Sequence, residues 1–147
     1  MRSGTLLSAA LLACALASVA AAPRTWADDV GEGGACANDD GALDEAAFVI
    51  ATAPVAGERV VSGFSVAGCS RTFESTVQWR LVARDGAELA RGFTQGGGVD
   101  GPGPFGFQVA YSLDARSLAH LEVFEEDASD GEGPPPGRTV LPLVLLP

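Results

Sequence analysis

The segment Phe73 to Arg84, FESTVQWRLVAR, alternates between apolar and polar residues. Phe73, Val77, Trp79, Leu81 and Ala83 share one parity, while Glu74, Thr76, Gln78, Arg80 and Arg84 share the other. A helix would scatter these apolar groups around its circumference. A strand puts successive side chains on opposite faces and gathers them on one. The segment is therefore expected to form a long, half-buried β-strand with the first set inward. Asp85-Gly86 follows as a tight turn, since glycine accepts the positive φ that short hairpin turns require. A return strand is expected over Glu88–Thr94, with Leu89 and Phe93 inward.

The same reading extends along the chain. Ala46–Ala51 is the first strand candidate, and Val55–Arg59 makes a turn around Gly57. Val60–Ala67 is the second, with Phe64 and Val66 on one face and Ser65 on the other, and Gly68–Thr72 forms a corner before the central strand. Phe105–Leu113 alternates with Phe105, Phe107, Val109, Tyr111 and Leu113 inward. Leu118–Glu125 places Leu121 and Val123 inward, and Arg138–Leu146 places Leu141, Leu143 and Leu145 inward. Pro142 has no N–H to donate, so this last segment is expected at a sheet edge or at a bulge. The glycine-rich loop Gln95–Pro104 suits a crossing between sheets. Short strands, frequent turn signals and no helical period after the N-terminal segment predict an all-β domain over 46–147. A seven-stranded antiparallel β-sandwich is the leading architecture and a small barrel the alternative.

Residues 1–27 read as a secretory signal peptide. Arg2 supplies a positive start, Leu6–Ala22 is apolar or small throughout, and Pro23 ends the run. Cleavage after Ala27 or near Ala20–Ala22 is expected, and an N-terminal membrane anchor is the alternative. Leu11-Leu12-Ala13-Cys14 also resembles a lipoprotein box, which would make Cys14 a lipidation site, although the apolar run continues past it. Residues 28–45, acidic and glycine-rich, are expected to be a flexible arm. Beyond the signal, Cys36 and Cys69 remain. An even pair in an exported chain predicts a disulfide, worth on the order of 3–4 kcal/mol through loop closure. Two free thiols are the alternative.

The chain carries a formal charge of −10. Without Arg2 and Arg24, seven basic residues face 19 acidic ones, leaving −12, and no lysine is present. Such a chain repels nucleic acid and anionic membrane surfaces, because phosphate binding needs cationic side chains to displace counterions. Chemistry is sparse. The one histidine, His120, has the parity of an outer strand face, and no Gly-x-Ser-x-Gly turn accompanies it. Glu122 with Glu125 or Glu126, and Asp127 with Asp130, could pair as carboxylates but read as solvated. Glu125, Glu126, Asp127, Asp130 and Glu132 crowd one loop where calcium is conceivable, at spacings unlike an Asp-x-Asp-x-Asp-Gly loop. Gly96–Gly103 lacks the lysine and following helix of a phosphate cradle. At the central corner, Arg71, Phe73 and Glu74 are expected to act structurally. The expected contacts are an Arg71–Glu74 ion pair or backbone N–H groups donating to Glu74.

From Val60 onward the chain resembles the immunoglobulin-like domain first recognised in bacterial spore-germination proteins and widespread in bacterial envelope proteins. The resemblance rests on VVSGFSVAG, Arg71-Thr72-Phe73-Glu74-Ser75-Thr76-Val77, Asp85-Gly86 and Gly103-Pro104-Phe105. It continues in Leu121-Glu122-Val123-Phe124-Glu125, Asp130-Gly131 and Val140-Leu141-Pro142-Leu143. It implies an immunoglobulin-like sandwich in an extracytoplasmic setting and brings no catalytic residues. The expected function is a non-enzymatic, exported cell-envelope binding or structural module. No cofactor, nucleic acid or membrane span is expected in the mature chain, and the partner would be an envelope protein or glycan. The alternative is a small secreted enzyme or calcium-dependent accessory protein using the acidic loop 125–132.

Overall fold

The computed structural model describes residues 34, 36–127, 129, 131–132 and 135–147. The expected signal segment with Cys14, and Asp130 of the acidic loop, lie outside the described residues. Eight strands form two sheets: β1 Phe48–Ala53, β2 Arg59–Val60, β3 Phe64–Arg71, β4 Thr76–Ala83, β5 Glu88–Gln95, β6 Gly103–Val109, β7 Ser117–Phe124 and β8 Arg138–Leu145. One sheet has the order β1-β3-β6 and the other β2-β8-β7-β4-β5. The core between them is built by the inward parity of each strand, with Val77, Leu81, Phe105, Leu121, Leu143 and Leu145 fully buried. Among the described residues, no helix is long and apolar enough to cross a membrane.

The extra strand is β2. It pairs in parallel with β8, Arg59 beside Val144 and Val60 beside Leu145, where Arg59 was expected to end a turn and Val60 to begin the second strand. Every other strand pair is antiparallel. Because β2 is so short, Pro142 has no ladder partner on the β2 side of β8, and its carbonyl accepts the Gly57 N–H at 2.7 Å there. The proline thus sits where no sheet N–H is needed. The loop after β5 crosses to the opposite sheet, as its glycines allow. Tyr111 ties the end of the sandwich together, its hydroxyl 2.8 Å from the Val60 carbonyl and 2.7 Å from the Leu146 carbonyl. Burial raises its pKa, and the hydrogen bond to Leu146 opposes this.

Three expectations are corrected. Gly68–Thr72 is not a corner, because β3 continues through Arg71. Gly68 instead lets Phe105 pack against the strand, since a Cβ there would lie 2.5 Å from the phenyl ring. The corner is displaced to the turn Thr72–Ser75, where Ser75 adopts φ 57°. That turn breaks the alternation, and Phe73 points out with 74% of its surface exposed. Phe93, also expected inward, is 72% exposed. A bulge opposite Leu81/Val82 is the reason: Leu81 pairs with Ala90 and Val82 with Glu88, so Leu89 is an extra residue. One inserted residue reverses the parity of everything after it. Leu89 keeps its core contact, whereas Gly92 turns inward beneath Trp79 and Phe93 turns to solvent.

Cys36 and Cys69 form the expected disulfide, with Cα atoms 5.3 Å apart. In β3, Val66 and Ser70 share the core parity, so Cys69 lies on the outer face of the three-stranded sheet. It is nevertheless fully buried. The bond to Cys36 draws the end of the N-terminal arm over that face. A 3₁₀ turn at Ala42–Asp44 then leads into β1. A disulfide of this kind belongs to an oxidising compartment and points to a location outside the cytoplasm.

Candidate functional site

The outward residues of the five-stranded sheet form ordered rows. Register aligns Phe93, Gln78, Phe124 and Arg138 in one row, then Arg91, Arg80, Glu122 and Val140, then Glu88, Val82, His120 and Pro142. A fourth row contains Leu118, Val144 and Arg59, with the Arg84 N–H donating to the Leu118 carbonyl at 3.1 Å. The face is the reverse side of the alternation that buries Val77, Trp79 and Leu81. The exposed ring of Phe93 and the half-buried ring of Phe124 stand on either side of Gln78. Together with Arg80, Arg91 and Glu88 they line a cleft of about 450 Å³.

Glu122 organises the middle of this face. It is only 6% exposed, since strands flank it on both sides and longer side chains surround it. One carboxylate oxygen accepts from Arg80 Nε at 2.7 Å and also from Arg138. The other lies 3.1 Å from His120 Nε2. Burial pushes the Glu122 carboxyl up. The Arg80 hydrogen bond, the Arg138 and Arg80 charges and the His120 hydrogen bond outweigh it and hold the group below its usual value. The Glu122 hydrogen bond is also the main reason that Arg80 titrates above its ordinary range. The Arg80 guanidinium carbon lies 5.9 Å from the centre of the Phe124 ring, within cation–π range. Two guanidinium groups are thus held in place by one carboxylate, and one of them lies against the Phe124 ring.

At the end of the sheet beyond Phe124, a second cleft of about 230 Å³ is lined by Phe73 and by Glu74, Glu125, Glu126 and Asp127. Glu125 accepts the Phe73 N–H at 2.6 Å, and Glu126 accepts from Gln78 Nε2. Hydrogen bonds from the Ser129 hydroxyl and N–H lower the Asp127 pKa. At the opposite end, a cleft of about 260 Å³ is lined by Arg84 and Arg116 with Ser117, Leu118 and Val144.

The expected corner therefore forms with different partners. No Arg71–Glu74 ion pair exists among the described residues. The turn at Ser75 carries Glu74 into solvent, and the carboxylate leaving β7, Glu125, reaches the corner backbone instead. The buried Thr72 supplies the other contact, donating from its N–H at 3.1 Å and its hydroxyl at 3.3 Å to the Gly97 carbonyl. Arg71 lies on the outer face of β3. Glu122 pairs with neither Glu125 nor Glu126, and Asp130, the expected partner of Asp127, lies outside the described residues. Glu122 is held ionised by cations, and Glu125 and Glu126 are engaged with neutral donors. His120 is on the outer face as expected, bonded to Glu122 rather than to a hydroxyl nucleophile. Among the described residues, no three His, Cys, Asp or Glu side chains are placed to hold a metal ion.

Sequence reasoning missed the exposed rings of Phe73 and Phe93. A signal for the second was present, because an isolated glycine within a strand pattern, here Gly92, marks a bulge or a close backbone approach.

The family model for the immunoglobulin-like domain of bacterial spore germination matches residues 48–132. No curated protein matches the chain. Among solved structures, CopC from Methylosinus trichosporium OB3b is similar at 15% identity and a TM-score of 0.42, over 69% of this chain and 95% of that one.

Proposed function

Because the chain belongs to the family of immunoglobulin-like domains of bacterial spore germination, we propose that it is a non-enzymatic binding or structural module of the cell envelope. The outer face of its five-stranded sheet is the binding surface. The observation that carries this reading is the exposed Phe93 ring beside Phe124 and the fixed Arg80 guanidinium. An apolar platform with pre-positioned polar groups is the anatomy of a recognition surface. The Cys36–Cys69 disulfide supports work in an oxidising compartment. Residues 1–27 act as the export signal, with soluble release as the outcome and lipidation of Cys14 as the tethered variant, told apart by the mass of the mature N-terminus.

The test is cross-linking in intact cells followed by purification of the tagged chain, comparing wild type with Phe93→Asp. Phe93 is a surface residue, so the substitution changes stability by only about 0.5 kcal/mol. The expected result is a defined cross-linked species that disappears in the variant while the melting temperature holds. Equal capture by both proteins would overturn the assignment of the face.

A further inference from the structure

The outer face of the five-stranded sheet is polarised along its length. One end carries Glu74, Glu125, Glu126 and Asp127. The other carries Arg84 and Arg116, with Arg59 beside Val144 in the same row. Arg84 and Arg116 make no ion pair among the described residues. Between the ends lie Phe93, 72% exposed, Val140, 49%, and the Phe124 ring, and Leu118, 52%, stands beside the arginines. A face with opposite charges at its two ends complements itself when turned end over end.

We infer that this face docks on the same face of a second copy of the chain. The resulting dimer is two-fold symmetric, with its axis in the interface and running across the strands. This rests on the reading of the face as a binding surface and names its occupant. The register locates the axis between the Arg80–Glu122 row and the Val82–His120 row. Rotation about it sets Glu126 over Arg116 of the second copy, Phe124 over its Leu118, Glu122 over its His120 and Arg91 over its Glu88. Each contact occurs twice, as an isologous interface requires. An axis parallel to the strands would instead stack acid on acid and arginine on arginine. The net charge of −10 opposes random association, so only the orientation that matches opposite ends is favoured.

The dimensions suit a weak dimer. Four strands of eight residues, spaced about 4.8 Å and rising about 3.3 Å per residue, give a face of roughly 19 by 24 Å, to which the two-residue β2 adds little. Two such faces bury on the order of 900 Å² in total, at the low end for specific association, so the dimer is reversible. Two sheets packed this way lie about 10 Å apart with aligned strands.

The experiment is sedimentation velocity on the exported protein across a wide concentration range, with two charge-reversal pairs, Glu74→Arg with Glu126→Arg and Arg84→Glu with Arg116→Glu. Wild type is expected to dimerise reversibly. Each doubly substituted protein alone is expected to weaken dimerisation at least tenfold, and an equimolar mixture of the two to restore it as a mixed dimer. Restoration on mixing also shows that both variants are folded. A wild type that stays monomeric, variants that dimerise as wild type does, or a mixture that stays monomeric would each overturn the inference. If wild type is monomeric but Phe93-dependent capture of another molecule persists in cells, the binding face stands without the second copy. If both fail, the face is not a binding surface.

Discussion

Removing the disulfide is the perturbation whose magnitude follows most directly from the structure. Cys36 and Cys69 are separated by 33 residues. Closing a loop of that length in the unfolded chain removes about 12 cal/mol/K, or about 4 kcal/mol near room temperature, in the loop-entropy account. A domain of roughly 110 residues gains about 0.23 kcal/mol/K on melting, so the loss translates into a drop of about 16 °C. The two cysteines separate cross-link from packing. Cys36 is partly exposed, so Cys36→Ser removes only the bond. Cys69 is fully buried, so Cys69→Ala removes the bond and buried sulfur. The assay is thermal melting by circular dichroism of wild type, oxidised and reduced, beside both variants. Reduced wild type and Cys36→Ser should melt together, with Cys69→Ala slightly lower. A Cys36→Ser protein melting within about 4 °C of wild type would refute the loop-entropy reasoning, because the arm would then have to be equally confined without the bond.

Two further predictions concern the sheet itself. Glu122→Gln should lower stability by about 1–2 kcal/mol, a hydrogen-bonded charge discounted for the solvent around Arg80 and Arg138. The Glu122 carboxyl is held below its usual value, so its contribution is complete above the unfolded-state pKa and is lost as pH falls through the folded-state pKa. Denaturant unfolding at a series of acidic pH values should therefore show wild type converging on the variant, and a constant gap would contradict the role. Gly92→Ala should cost about 1–3 kcal/mol by overpacking, because its Cβ would lie 2.6 Å from the Trp79 ring. Denaturant unfolding with tryptophan emission as the probe should show a lower midpoint and a changed native spectrum; an unchanged midpoint would mean that the indole moves away freely.

The strands themselves were legible because a period of two requires only local information. Trp79, Leu81, Leu121 and Leu143 are inward as their alternation demands. The reading failed where one residue shifts the count. The bulge at Leu89 and the turn at Ser75 reversed Phe93 and Phe73; the first depends on the register across the β4–β5 hairpin and the second on Gly97 and Glu125, far along the chain. The corner carboxylate was misplaced for the same reason. Glu74 is adjacent to the corner in sequence, but Glu125 is adjacent in space, donated to by Phe73 across 52 positions.

The sequence by itself determined the all-β class, the inward parity within uninterrupted strands, the outer placement of His120 and the cysteine pair available for bonding. Those properties follow from local alternation, turn chemistry and composition. Only the tertiary structure decided that β2 joins β8 in parallel, that Glu122 gathers Arg80, Arg138 and His120, and that acidic and arginine-rich ends terminate one face. These arise from register between strands distant in sequence. A register shift of a single residue would move every one of those side chains to the opposite face.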